Sequence, residues 1–422
     1  MVSIIYNIAL FLFALASLPN LLYQMAVHGK YKHSLSQRFG KDIPFVPEEQ
    51  EVIWIHAVSV GETKAVAPLA KELKKRHPAC CLIISNITET GHEEAIKTLP
   101  FADYFIYLPF DFPWVIEKAL KRTHPNKLIL CETDFWYNLL TQAKAGGAEI
   151  SVVNGKISER SAKRFTTFSF FSHKLFDAVA HFCVQNAEFA ERFKQIGIPA
   201  EKITVTGNLK FDYDFPPMSP EQKREWIKKL GITPATKVLT IASTHNPEEM
   251  ELMSALKMVW EQFPDLKVLV APRHPERFGD VAKQLEAEGL SYTLLSAVST
   301  GPVKEKIVLV DAMGMLKYFF QLSDLAIVAG SYGSNVGGHN LLEPAGFGVP
   351  VLFGPNMHQQ PELVNLILKY KAGMQVSLSQ LPLAVTTLLS EPENAKQMGE
   401  NGLRLLKENK GSVQKTLQAI DS

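Results

Sequence analysis

Before Lys30 the chain has no aspartate, glutamate, lysine or arginine. Such an uncharged stretch is a candidate membrane segment. Net charge is also lacking. Lys and Arg total 44 and Asp and Glu 43, so nothing in the balance favours nucleic acid as a partner. Only four cysteines occur (Cys80, Cys81, Cys131 and Cys183), with no CxxC pair and no Cys/His spacing suited to zinc. A disulfide scaffold and a structural zinc site are therefore excluded, and the thiols read as reduced core residues. There is no GxxxxGK[ST], and no GxGxxG follows the first strand of either half. These absences remove a P-loop nucleotidase and a Rossmann dehydrogenase.

The uncharged start is mostly apolar from Val2 to Leu22. As a helix it would rise roughly 32 Å, close to the thickness of a bilayer core. It lacks the basic start of a cleaved signal peptide, so an uncleaved anchor over 1–27 is expected. Lys30, Lys32, Arg38 and Lys41 follow it, with only Asp42 against them. That bias places the body on the cytoplasmic side of the membrane. A buried helix of a soluble protein and a helix lying in the interface fit the same residues.

From residue 51 short apolar runs alternate with helical stretches. Expected strands are Val52–His56, 80–85, Tyr104–Tyr107, 128–131, 150–153 and 178–184. The proline-rich stretch DYDFPPMSP, 212–220, then breaks the pattern as a linker. Alternation restarts with 238–242, 267–271, 306–310, 325–329 and 349–353, and the chain ends in helical sequence. Continuous apolar strands separated by helices indicate parallel sheets covered on both faces. The fold class is thus α/β, with two doubly wound Rossmann-like domains at 28–212 and 213–422. The last helix of the second is a candidate to cross back to the first. Two such domains are expected to face a central cleft and to bind ligands at their strand C-terminal ends.

Candidate chemistry sits just after strands. His56-Ala-Val-Ser-Val-Gly-Glu62 leads from the first strand into a helix, and Glu62 is placed either to complement the helix dipole or to act as a general base. Glu132-Thr133-Asp134-Phe135-Trp136 follows another strand; Thr133 or Asp134 can cap a helix, while Glu132 would bring a second carboxylate. Lys210, in GNLKFD, is either solvated or positioned to neutralise an anion. Arg273 of APRHPER is suited to phosphate. Asp311-Ala-Met313-Gly314-Met315 and Gly337-Gly338-His339-Asn340-Leu341-Leu342-Glu343 follow later strands, and glycines leading into a helix suggest an anion site.

Taken in order, the anchor, HAVSVGE, ETDFW, NGKISERS, GNLKFD, APRHPER, DAMGML and GGHNLLEPA resemble the 3-deoxy-D-manno-octulosonic acid (Kdo) transferases of lipopolysaccharide synthesis over nearly the whole chain. The resemblance implies a GT-B fold and an inverting glycosyltransferase. It implies Kdo transfer from CMP-Kdo to the tetraacylated lipid A precursor, with no cofactor and no metal in the nucleotide site. By the same resemblance Glu62 matches the proton acceptor, and Glu132 and Lys210 match positions that support the transition state. Pro272 and Arg273, Met313-Gly314-Met315 and Asn340-Leu341-Leu342-Glu343 match the CMP contacts. Two departures stand out. Tyr137 follows Trp136 where the family has proline, and Met315 stands where an acidic residue is common, which leaves only a backbone contact there. A nucleotide-sugar 2-epimerase of the same fold is the alternative, and it needs no anchor. No motif sets how many Kdo residues are added. For the membrane side, Lys156, Arg160, Lys163, Arg164, Phe165, Phe168, Phe170 and Phe171 form a basic and aromatic stretch; a buried helix would explain the aromatics equally.

Overall fold

A computed structural model describes residues 2–28, 34–298 and 301–421. Lys30 and Lys32 lie outside the described residues. The chain divides into two compact units, Met1–Asp214 with Asn409–Ser422, and Phe215–Glu408.

The first unit is built on β1 (Val52–His56), β2 (Cys81–Asn86), β3 (Tyr104–Tyr107), β4 (Lys127–Cys131), β5 (Glu149–Gly155), β6 (His181–Val184) and β7 (Ile203–Val205). All pairings are parallel, in the order β3-β2-β1-β4-β5-β6-β7. Strand order reverses between β1 and β4, which is where doubly wound sheets open a crevice. β1 is VIWIH and buried throughout, so its apolar residues serve both faces of the sheet. The helix Ser412–Ile420 returns to this unit. Asp212 accepts from the backbone N–H groups of Gly411 (2.7 Å) and Val413 (2.6 Å), and Val413, Leu417 and Ile420 join the core on one face of the sheet.

The second unit repeats the plan with β8 (Val238–Thr244), β9 (Lys267–Pro272), β10 (Tyr292–Leu294), β11 (Ile307–Leu309), β12 (Leu325–Val328), β13 (Val351–Phe353) and β14 (Gly373–Gln375). These are again parallel, in the order β10-β11-β9-β8-β12-β13-β14, and the reversal falls between β8 and β12. Three strands absent from the sequence reading, β7, β10 and β14, are edge strands of three residues each.

The N-terminal helix runs Val2–His28. It is long and apolar enough to cross a membrane, and very little of it is buried. Its first turns nevertheless dock on the first unit. The Tyr6 hydroxyl donates to Asp111 Oδ2 at 2.8 Å, Asn138 Nδ2 donates to Asn7 Oδ1 at 2.7 Å, and Tyr6 stacks 5.7 Å from Phe171. Ile4, Ile8, Phe11, Phe13 and Leu22 remain exposed. After the helix the chain rejoins the same place, because Phe110 N donates to Arg38 O at 2.8 Å, one residue from Asp111.

Candidate functional site

At the reversal in the first sheet, Glu62 and Glu132 are delivered by adjacent strands. Glu62 lies in the first turn of the helix Val60–Arg76. Its carboxylate accepts from Val58 N (2.9 Å) and Ser59 Oγ (3.3 Å), so it does close off the helix start. Burial, followed by the charge of Glu132, nevertheless raises its pKa to about 7. A helix-capping carboxylate would ordinarily titrate far lower.

Glu132 follows β4 directly, in the left-handed region at φ 64°, a conformation costly for a residue with a Cβ. Its carboxylate, 7% exposed, meets Lys156 Nζ at 2.7 Å, Lys210 Nζ at 3.8 Å and Asn154 Nδ2 at 3.5 Å. Burial alone disfavours the Lys156 ammonium, yet the Glu132 carboxylate outweighs it and lifts its pKa above the ordinary lysine value. Asn154 ties the group together. It is buried, also left-handed at φ 54°, and its Oδ1 accepts from Leu209 N at 3.0 Å, next to Lys210.

Two sequence expectations change here. Lys156, grouped with the membrane stretch, belongs to this carboxylate cluster, because β5 ends at Gly155 and carries it to the strand end. Neither Thr133 nor Asp134 caps a helix: the next helix is Tyr137–Ala145, preceded by Trp136. Asp134 Oδ2 instead takes His56 Nε2 at 2.8 Å and Trp136 Nε1 at 2.7 Å. His56 Nδ1 in turn meets Ser85 Oγ at 2.9 Å. This chain pins the Glu132 loop to β1 and β2.

Along the same unit, Arg160, Lys163, Arg164 and Phe168 line a surface concavity of about 490 Å³ with Glu159 and Thr167. Phe168 and Phe170 are exposed (66% and 63%), whereas Phe165 and Phe171 pack on the core. The buried-helix reading therefore holds for Phe165 and Phe171 and not for Phe168 and Phe170.

In the second unit the two arginines of APRHPER separate. Arg277 Nη2 pairs at 3.1 Å with the buried Glu249, which also accepts from Thr244 Oγ1. Arg273 follows β9 with its backbone N–H on Thr244 O, and among the described residues its guanidinium has no ion-pair partner. Glu248, 1% exposed, accepts from the backbone N–H groups of His245, Gly330, Tyr332 and Gly333, bracing the loops after β8 and β12. Sequence reasoning missed it; only its place in a run of two glutamates just after a strand hinted at a role.

Of the remaining nucleotide candidates, Pro272 ends β9 and Gly314 turns at φ 78° beside the exposed Met313. Met315 is partly buried against the core. Asn340 Oδ1 accepts from Leu342 N at 3.0 Å. Leu341 and Leu342 have fully buried side chains, so only their backbone can face a ligand. Glu343 lies in the helix Leu342–Gly346, whose five residues are too few for its N-terminus to bind an anion unaided. That revises the anion site expected from Gly337-Gly338. Beside it His339 Nε2 meets His245 Nε2 at 2.8 Å. Among the described residues no group of three or more His, Cys, Asp or Glu is set to hold a metal ion.

Residues 33–213 match the family described as 3-deoxy-D-manno-octulosonic-acid transferase (kdotransferase). The 3-deoxy-D-manno-octulosonic acid transferase of Chlamydophila psittaci is 36% identical over 419 residues, spanning 99% of this chain and 96% of that protein. The Haemophilus influenzae transferase of the same name is 29% identical, over 93% and 91%. Among solved structures, a glycosyltransferase from Rickettsia africae superposes with TM-score 0.61 at 16% identity, over 88% of this chain and 98% of that one. The UDP-GlcNAc 2-epimerase of Neisseria meningitidis gives 0.60 at 15%, over 87% and 100%. At such identities the likeness speaks for the GT-B type of fold alone.

Proposed function

Because the chain belongs to the 3-deoxy-D-manno-octulosonic acid transferase family, and is thus a glycosyltransferase of lipopolysaccharide synthesis, we propose that it moves Kdo from CMP-Kdo to the tetraacylated lipid A precursor and releases CMP. The observation that carries this reading is the base. Glu62, its pKa raised to about 7, can hold a proton acceptor's charge at neutral pH and also receive a proton. An acceptor hydroxyl gives its proton to Glu62 while its oxygen bonds to the anomeric carbon of Kdo. The bond from that carbon to the phosphate oxygen breaks, and its electron pair leaves with CMP. Attack from the face opposite the leaving group inverts the anomeric centre. Glu132, held between Lys156 and Lys210, keeps the ammonium groups fixed where charge develops. Arg273 takes the CMP phosphate. Backbone groups of Pro272, the Met313-Gly314-Met315 turn and Asn340-Leu341-Leu342 border the nucleotide, with the Glu343 side chain on the ribose. Neither a cofactor nor a metal is needed when an arginine holds the phosphate.

The acceptor is a lipid, so the first unit works at the cytoplasmic face of the inner membrane. The helix Val2–His28 lies along that interface and does not cross it. Tyr6 is tied to Asp111, and Arg38 to Phe110, so the chain leaves and rejoins the first unit at neighbouring residues. A crossing helix would set Tyr6 and Arg38 on opposite faces of the bilayer, where they could not both contact the first unit. The exposed Phe168 and Phe170 with Arg160, Lys163 and Arg164 add a second contact to anionic lipid. The reaction is tested by incubating purified enzyme with CMP-Kdo and the tetraacylated precursor and weighing the products. A lipid whose mass grows by whole Kdo units, with CMP released in equal number, is the expected result. CMP-Kdo left intact, or a sugar epimerised without transfer, would overturn the reading.

A further inference from the structure

The second sheet reverses strand order between β8 and β12, and a histidine stands beyond each of those strands: His245 directly after β8, His339 in the loop after β12. Ligands of open parallel sheets bind at such a reversal. The two Nε2 atoms are 2.8 Å apart, the ring planes differ by 10° and the ring centroids are 5.1 Å apart. The rings therefore meet edge to edge, nearly in one plane, through a single N–H···N hydrogen bond. Among the described residues no hydrogen-bond partner meets either Nδ1 atom.

Proton counting then follows from imidazole chemistry. In the neutral pair one ring donates its Nε2–H, and so has a bare Nδ1. The other accepts at Nε2, and so carries Nδ1–H. The free nitrogens thus offer one donor and one lone pair. A single added proton goes to the bare Nδ1. The central hydrogen bond survives, and both free nitrogens become donors on a cationic pair.

The surroundings hold the pair neutral. At the end of β9 stand Arg273 and His274, the latter with its ring 5.3 Å from that of His245. From the helix that follows β8 come Glu248 and Glu249, whose carboxylates are engaged by backbone N–H groups and by Arg277. The His358 ring packs over Gly337, two residues from His339. Burial and then the neighbouring cations keep both imidazole pKa values down, that of His339 to about 3. An anion beside Arg273 would offset the part of that opposition that comes from positive charge.

We propose that His245 and His339 form an anion clamp that takes up one proton from solvent as the nucleotide phosphate settles against Arg273, and then donates two N–H groups to it. The clamp rests on the reading of Arg273 as the phosphate holder. It also suits the reaction, since the phosphodiester of the donor carries one negative charge and the departing monoester approaches two. Positive charge supplied by protonation is then largest where the leaving group needs it.

The test titrates CMP into the detergent-solubilised full chain by calorimetry at pH 7, in buffers of different ionisation enthalpy. Wild type should take up roughly half a proton or more per CMP bound. His339→Gln and His245→Gln should each bind CMP more weakly and lose that uptake; two variants keep the measurement open should one not fold. CMP binding that needs Arg273 but takes up no proton would overturn the clamp and leave the phosphate reading standing. So would an uptake unchanged in both glutamine variants. CMP binding unaffected by Arg273→Ala would overturn the phosphate reading and the clamp together.

Discussion

Replacing Glu62 by glutamine separates a catalytic carboxylate from a helix cap. The side chain caps its helix through Val58 N and Ser59 Oγ, and glutamine still offers an oxygen to that backbone N–H. If capping were its whole role, the change would cost little and the cost would not vary with pH. Its pKa, however, is raised from 4.5 to about 7 by burial and by Glu132. A carboxyl whose folded-state pKa is raised binds its proton more tightly when folded. Wild-type stability relative to the glutamine variant therefore falls as pH rises from about 4.5 to 7, and the full deficit persists above 7. At 1.36 kcal/mol per pKa unit the deficit is about 3 kcal/mol at most. Glu62→Gln should then melt several degrees higher than wild type at pH 8 and at nearly the same temperature near pH 4.5. The same variant should lose roughly 100- to 10,000-fold in turnover, the usual worth of a general base. Wild-type kcat/KM should rise with pH through about 7 as the base ionises. Thermal unfolding at the two pH values, with product formation followed by mass, reads all three. Turnover above a tenth of wild type, or a melting shift equal at both pH values, would refute the reasoning.

Arg273→Ala should raise the KM for CMP-Kdo or lower kcat/KM by roughly 10-fold or more, the worth of a charge-assisted bond, with the fold intact. Arg277→Ala should instead cost about 3–5 kcal/mol in thermal unfolding, because it strands the buried Glu249. A chelator should leave transfer by purified enzyme unchanged, and a strict magnesium requirement would contradict phosphate holding by Arg273. Deleting residues 1–27 removes Tyr6 from Asp111, but Asp111 keeps its bonds to Asn138 N and Leu139 N, so the body should stay folded and still use detergent-dispersed acceptor while binding vesicles less. In the full chain, single cysteines placed at Ser3 and at Ser36 should react with an impermeant reagent from the same face of inner-membrane vesicles, whereas labelling from opposite faces would mean a crossing helix.

How far the fold could be read depended on where a strand sits. Central strands such as β1 and β4 are covered on both faces and appear as short apolar runs, VIWIH and KLILC, bounded by turn and helix signals. The edge strands β7, β10 and β14 read ITV, YTL and GMQ; they are short and largely uncovered, so no run of core residues marks them. Nothing in Val60-Gly61 marks a helix start in the sequence; the hydrogen bonds from Val58 and Ser59 to the Glu62 carboxylate close the start of the helix Val60–Arg76.

The site divides along the same line. Glu62, Glu132 and Arg273 each stand within a few residues of a recognisable strand end, and strand ends in a parallel sheet face one side. Position in sequence therefore already placed them near chemistry. Lys156 also follows a strand, but β5 runs two residues past the apolar stretch 150–153, and the basic residues after it drew Lys156 into a surface reading. Strand length, which hydrogen bonding to β6 decides, makes the difference between a membrane lysine and one bound to Glu132. His245 and His339 lie 94 residues apart and neither belongs to an apolar pattern. Their meeting follows only from β8 and β12 being neighbours at the reversal of the sheet. Topology thus turns two separate histidines into one hydrogen-bonded pair, and no spacing rule within the chain could have joined them.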